Sequence, residues 1–222
     1  GDYFTEKNYR RNYEILRQLT FVFFCISSVV AVGLFSLITP FICDIWLSPA
    51  YELGWGTAVL CIVVLLIKIM GLPLSLMMGV TGLFEKEKNA GASSAILNLV
   101  VSLALVRPYG MTGVLLGTLL SYLLQICYRY VIFFRDFLEM KEEAIRYARD
   151  LGEYTAVMIL EVAVTRRIIP LIYGNGGMTP FIFCFVLCIL VPLALNGVFF
   201  GRGWRLQSIV KMVRGMKRSG SR

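Results

Sequence analysis

The chain has 222 residues, 58 % of them hydrophobic and 16 % charged, with a formal net charge of +8 and a mean hydropathy of +0.73. A soluble domain has about 45–50 % apolar and about 25 % charged residues, so folding this chain in water would leave large apolar patches exposed. Lipid is the natural solvent, and the basic residues, lying in short segments between apolar stretches, point to membrane topology rather than to nucleic acid.

Residues 1–18 are polar and aromatic, without the apolar core of a signal peptide. They read as a cytoplasmic segment of a piece cut from a longer chain, starting in a loop. Tyr9, Tyr13 and Leu16 fall at i, i+4 and i+7 beside basic residues, the pattern of an amphipathic helix at the headgroup level. A membrane span needs about 20 mostly apolar residues, and six segments qualify: 19–42, 56–82, 90–107, 111–134, 154–173 and 178–200. The expected fold is all-α, a polytopic membrane bundle of six transmembrane helices. Its first four spans (19–134) form a core. A cytoplasmic amphipathic connection (135–153) follows, then two further spans (154–200) and a basic tail (201–222).

In the second span, Lys68, Gly71, Ser75, Gly79 and Gly82 recur at three- and four-residue steps and so share one helix stripe. Small residues at that spacing admit a neighbouring helix closely, and Pro73 removes a backbone donor and bends the span. Lys68 lies near mid-span, where a charge must face a partner or water; the stripe is either a packing face or the wall of a polar cavity. In the third span Gly91, Ala95, Asn98 and Ser102 share a face, with Asn98 either bridging helices or touching substrate. The fourth span repeats small residues at Gly113, Gly117 and Ser121, without a charge, which favours packing. In the connection after it, Met140, Ala144, Ala148 and Leu151 share one face of an amphipathic helix. The fifth span is the least apolar. It contains Glu161 and Arg166, five residues apart and off a common face, so no intrahelical pair is expected. Arg166 and Arg167 either snorkel to the interface or contact an anionic substrate. In the tail, Trp204, Ile209, Val210 and Val213 alternate with basic residues and would meet anionic lipid.

Eighteen of the 22 basic residues fall before the first span, between the second and third, at or after the end of the fourth, or in the tail. The opposite connections are nearly bare, with Arg107 alone. The positive-inside rule therefore places both ends in the cytoplasm. There is no His, which excludes a His-ligated metal and a His general base. The six cysteines form no C-x-x-C pair, and five lie within spans, where Cys acts as a small hydrophobe. Neither a nucleophile with a base, a phosphate-cradling loop nor a carboxylate cluster emerges. No enzyme activity, cofactor or metal is expected.

The stretch AILNLVVSLALVRPYGMTGVLLGTLLSYLLQICYRYVIFF resembles the most characteristic segment of bacterial polysaccharide flippases. These belong to the multidrug/oligosaccharidyl-lipid/polysaccharide exporter superfamily. The pattern is an Asn-containing span, a short basic or prolyl turn, Tyr-Gly, then glycines leading into the next span. Here those residues are Asn98, Arg107, Pro108, Tyr109, Gly110, Gly113, Gly117, Thr118 and Ser121. The stretches SLITPFICDIWLSPAY and GVTGLFEKEKNAG also look like the family, and the resemblance covers 1–135.

The resemblance implies one lobe, the C-terminal half, of a two-lobe transporter whose N-terminal lobe is missing here. It implies flipping of undecaprenyl-pyrophosphate-linked oligosaccharide across the bacterial inner membrane for surface polysaccharide synthesis. Lys68, Asn98, Glu161 and Arg166 are then the candidate cavity residues. Gly71, Pro73, Ser75, Gly79, Gly110, Gly113, Gly117 and Ser121 would serve helix packing and hinges. Partners would be the lipid-linked sugar, membrane lipids and the missing lobe. By analogy with peptidoglycan-precursor flippases, the last two spans would form a lipid-tail groove. A drug/cation antiporter of the same superfamily, a membrane glycosyl polymerase and a non-transporting scaffold are the alternatives. An antiporter would be expected to use membrane carboxylates, of which Glu161 is the one well inside a span, whereas Lys68 and the arginines favour an anionic cargo.

Overall fold

A computed structural model describes residues 9–52, 54–137, 141–174 and 177–201. Lys7, Met140 and the tail beyond Gly201, including Trp204 and its apolar partners, lie outside the described residues.

Six long helices run up and down: α1 (Tyr9–Pro40), α2 (Trp55–Val80), α3 (Phe84–Tyr109), α4 (Met111–Val131), α5 (Lys141–Tyr173) and α6 (Met178–Phe200). Short π-helical turns at Phe41–Trp46 and Ile132–Phe137 extend α1 and α4. No strand occurs among the described residues. Among the described residues five helical segments are long and apolar enough to cross a membrane, and the chain is a multi-pass membrane protein. The exception is α5, whose first half is charged. Its position shows that it nevertheless runs the full height of the bundle. Near its start Asp150 pairs with Arg17 of α1, the Arg17 Nη2 lying 2.6 Å from a carboxylate oxygen. At its far end the Tyr173 hydroxyl donates to Asp44, 2.7 Å away, beyond the other end of α1.

α2 ends at Val80, two residues short of the expected span, α3 starts six residues early at Phe84, and two expected boundaries are absent. The amphipathic segment before the first span and the span itself form one helix, α1, of 32 residues, about 48 Å at 1.5 Å per residue. The connection and the fifth span likewise merge into α5, of 33 residues. In both cases part of the apolar face meets protein rather than headgroups, while Tyr9 and Ala148 stay exposed. Tyr13 and Leu16 are buried with Met77, Met78, Phe133, Phe134 and Tyr147, and Ala144 and Leu151 pack against the same cluster. Tyr147 donates to or accepts from Thr20 Oγ1 at 3.1 Å. Burial pushes its hydroxyl up to about 12, so it stays neutral.

α1 is the hub, packing against α2, α5 and α6, while α3 joins the rest chiefly through α4. A ring cluster ties α1, α5 and α6 together: Phe24 stacks on Tyr154 with centroids 4.6 Å apart, and Phe200 meets both edge-on. Further along, Val32, Leu37, Ile169, Cys184 and Cys188 close the same three-helix interface.

The turn between α3 and α4 is tighter than the tetrapeptide suggests. α3 runs through Arg107, Pro108 and Tyr109, leaving Gly110 alone as the connection. Its φ of +55° is one that side chains disfavour. The two helices then approach so closely that a Cβ on Gly113 would lie 2.3 Å from the Leu105 carbonyl oxygen, and one on Gly117 2.3 Å from Ser102 Oγ. Ser121, next in the stripe, is buried as well.

Candidate substrate cavity and buried polar sites

The four candidate cavity residues occupy four separate places. Lys68 sits at the middle of α2, exposed, its Nζ 5.9 Å from the centre of the Tyr122 ring of α4, within range of a cation–π attraction. It has no ion-pair partner among the described residues. Beside it, Gly71, Ser75, Gln125 and Arg129 line a groove of about 120 Å³. Toward one end of this groove Ser75 donates to Glu87 Oε1 at 2.9 Å, and Arg129 pairs with the same oxygen at 2.5 Å. Glu87 thus offsets the Arg129 charge and leaves the Lys68 charge unbalanced.

The stripe that sequence spacing assigned to one face of α2 divides its labour. Gly71 is buried against α4, its absent Cβ giving way to Ile126 Cδ1 at 3.1 Å. Ser75 holds Glu87 of α3. Gly79 has no neighbouring atom where a Cβ would stand, so it contributes no close packing within the described structure. Pro73 is buried, and α2 continues through it.

On the other side of Ile67 and Ile126, which border both, lies a second groove of about 480 Å³ between α1, α2, α4 and α5. Its walls include Phe35, Leu66, Met70, Leu123, Met158 and Val162. Among the residues lining it only Thr155 is polar. α6 does not line it, whereas the sequence reading expected a lipid-tail groove from the last two spans.

Asn98 accepts a hydrogen bond from Ser102 at 2.9 Å on its own helix. Its backbone carbonyl would stand 3.1 Å from a Cβ at Gly117. It belongs to the α3–α4 seam rather than to the Lys68 groove.

Glu161 is wholly buried between α1, α5 and α6. Ser28 Oγ of α1 donates to its Oε2, and Asn196 Nδ2 of α6 donates to Ser28 Oγ at 3.2 Å. Thr165 Oγ1 caps the Glu161 backbone carbonyl at 2.8 Å. Glu161 Oε1 and Asn196 Oδ1 are buried without a hydrogen-bond partner. No cation pairs with this carboxylate among the described residues.

Arg166 lies at the Asp44 end, its guanidinium carbon 4.4 Å from the centre of the Trp55 ring. It helps line a more polar groove of about 510 Å³ with Ser36, Thr39, Glu52 and Tyr173. Arg166 is thus exposed at the bundle end, the arrangement expected of a snorkelling arginine. It does not meet Glu161.

Sequence reasoning missed Glu87, Arg129, Ser28 and Asn196. Glu87 and Arg129 flank span ends, and only the antiparallel α3–α4 hairpin brings them together. Ser28 and Asn196 are single polar residues in apolar runs; polar side chains buried in apolar surroundings find hydrogen-bond partners, which is the signal that would have found them. Compared with protein-family models, with curated proteins and with solved structures, the chain matches none.

Proposed function

We propose that this chain is one lobe of a bacterial inner-membrane flippase, moving undecaprenyl-pyrophosphate-linked oligosaccharide repeat units and acting with a second lobe of the same protein. The observation that carries the reading is the pair of grooves either side of Ile67 and Ile126. One carries the unbalanced charge of Lys68 and the other is almost wholly apolar. A lipid pyrophosphate needs both, a cation for the headgroup and an apolar channel for the chain. Exposing Lys68 to hydrocarbon at mid-helix costs a few kcal/mol on insertion scales, about 2.5–3.5. The face that bears it therefore fits a water-filled cavity between lobes better than a lipid boundary. Rocking of one lobe against the other would give alternating access.

The resemblance of the Asn98–Ser121 stretch to polysaccharide flippases supports the same reading. Lys68→Ala in the full-length protein is expected to lower surface polysaccharide while leaving the protein level unchanged, and Lys68→Arg to restore most of it. Normal polysaccharide in Lys68→Ala cells would remove this groove from the transport path. Loss of dye or drug export in place of polysaccharide would favour the antiporter.

A further inference from the structure

We propose that Glu161 is a proton-binding site, set with Ser28 and Asn196 between α1, α5 and α6, and that the bound proton is what allows these three helices to close on it. This inference does not depend on the nature of the cargo. The cluster has a definite hydrogen-bond order. Asn196 donates to Ser28, and Ser28 donates to Glu161 Oε2. What remains are two buried acceptors with no donor, Glu161 Oε1 and Asn196 Oδ1. The cluster is short of a hydrogen.

A buried, unpaired carboxylate takes up a proton in preference to carrying its charge into an apolar interior. Among the described residues no cation is in ion-pair contact with Glu161. On α1 the titratable neighbour within electrostatic reach is Cys25. On α6 the titratable groups are Cys184 and Cys188, packed with Val32 and Ile169. On α5 the groups nearest in sequence are Tyr154, stacked on Phe24, Arg166, held over Trp55, and Arg167, which is exposed. Arg17 and Asp150 pair with one another nearer the end of the bundle.

A metal cation is the less suitable occupant, since hard cations collect about six or more oxygens, more than these three side chains offer. When the proton leaves, the carboxylate must be hydrated, and water can reach it only if α1 parts from α5 and α6. Gain and loss of the proton therefore bias the packing of the hub helix.

The test is infrared spectroscopy of the full chain in lipid vesicles, from mildly acidic to alkaline pH, with and without sodium. A protonated-carboxyl carbonyl band is expected in the wild type at neutral pH. It should be absent from Glu161→Gln, shifted in frequency by Ser28→Ala, and lost reversibly as pH rises. Ser28→Ala retains Glu161 and reads the same band if Glu161→Gln fails to fold. A carboxylate already ionised at neutral pH without sodium would mean that water alone occupies the cluster, and would overturn the proposal. So would a band that sodium abolishes, which identifies a metal-cation site.

Discussion

Gly113, Gly117 and Gly79 have the same side chain and three different surroundings. A methyl group on Gly113 meets the backbone carbonyl of Leu105 at 2.3 Å, and one on Gly117 meets Ser102 Oγ at 2.3 Å and the Ser102 backbone nitrogen at 2.9 Å. Backbone cannot rotate away as a side-chain end can, so α3 and α4 must separate to admit either methyl. Gly113→Ala and Gly117→Ala are expected to lose about 1–3 kcal/mol, the usual cost of overpacking. Gly79→Ala meets open space and is expected to be neutral or to gain about 0.5–1 kcal/mol through lower backbone entropy. Thermal unfolding of the three variants in detergent measures the contrast; equal losses in all three would contradict the seam described. Spacing alone made these glycines equivalent, because a repeat of small residues marks a face without saying what lies opposite.

At the scale of elements, the lengths of α1 and α5 are explained by what their outer turns meet. Amphipathic periodicity at Tyr13 and Leu16 was legible, and a lipid surface satisfies that pattern as well as a protein core does. The choice lies with the residues opposite, Phe133, Phe134, Met77 and Tyr147, which come from distant parts of the chain. The same contact buries Asp150 against Arg17, with a side-chain exposure of 4 % for the carboxylate and 20 % for the guanidinium. Removing Arg17 takes away the positive charge 2.6 Å from the buried Asp150 carboxylate, and breaking a buried pair is destabilising. Arg17→Ala is expected to cost about 3 kcal/mol. Adding Asp150→Asn to it should recover a large part of that loss. A double-mutant cycle on detergent unfolding checks it; additive losses would show that the pair is not coupled.

At the scale of the molecule, the two ends of the bundle differ in charge. Arg10, Arg17, Lys86, Arg129, Arg135, Lys141 and Arg146 belong to the end that holds the Arg17–Asp150 and Arg129–Glu87 pairs. The Asp44 end has Arg107, Arg166 and Arg167. By the positive-inside rule the basic end is expected to face the cytoplasm. On a cysteine-free background, a membrane-impermeant maleimide added to intact cells is expected to label Ala50→Cys. Lys86→Cys should react only after the membrane is permeabilised. The opposite pattern would invert the topology.

Composition and apolar run length by themselves determined that this protein is helical and built for lipid, because the hydrocarbon core imposes a minimum span and demands that the backbone satisfy its own hydrogen bonds. They also marked Lys68 and Glu161 as costly residues needing a reason. What only the tertiary structure decided is where those reasons lie. Lys68 opens onto a groove beside Arg129 and Gln125, whereas Glu161 is sealed inside a three-helix core with Ser28 and Asn196. The physical cause is that a charge is priced by its solvent, which run length reports. A partner can lie 133 residues away in sequence, as Ser28 does from Glu161, and only the packing of one helix on another selects it.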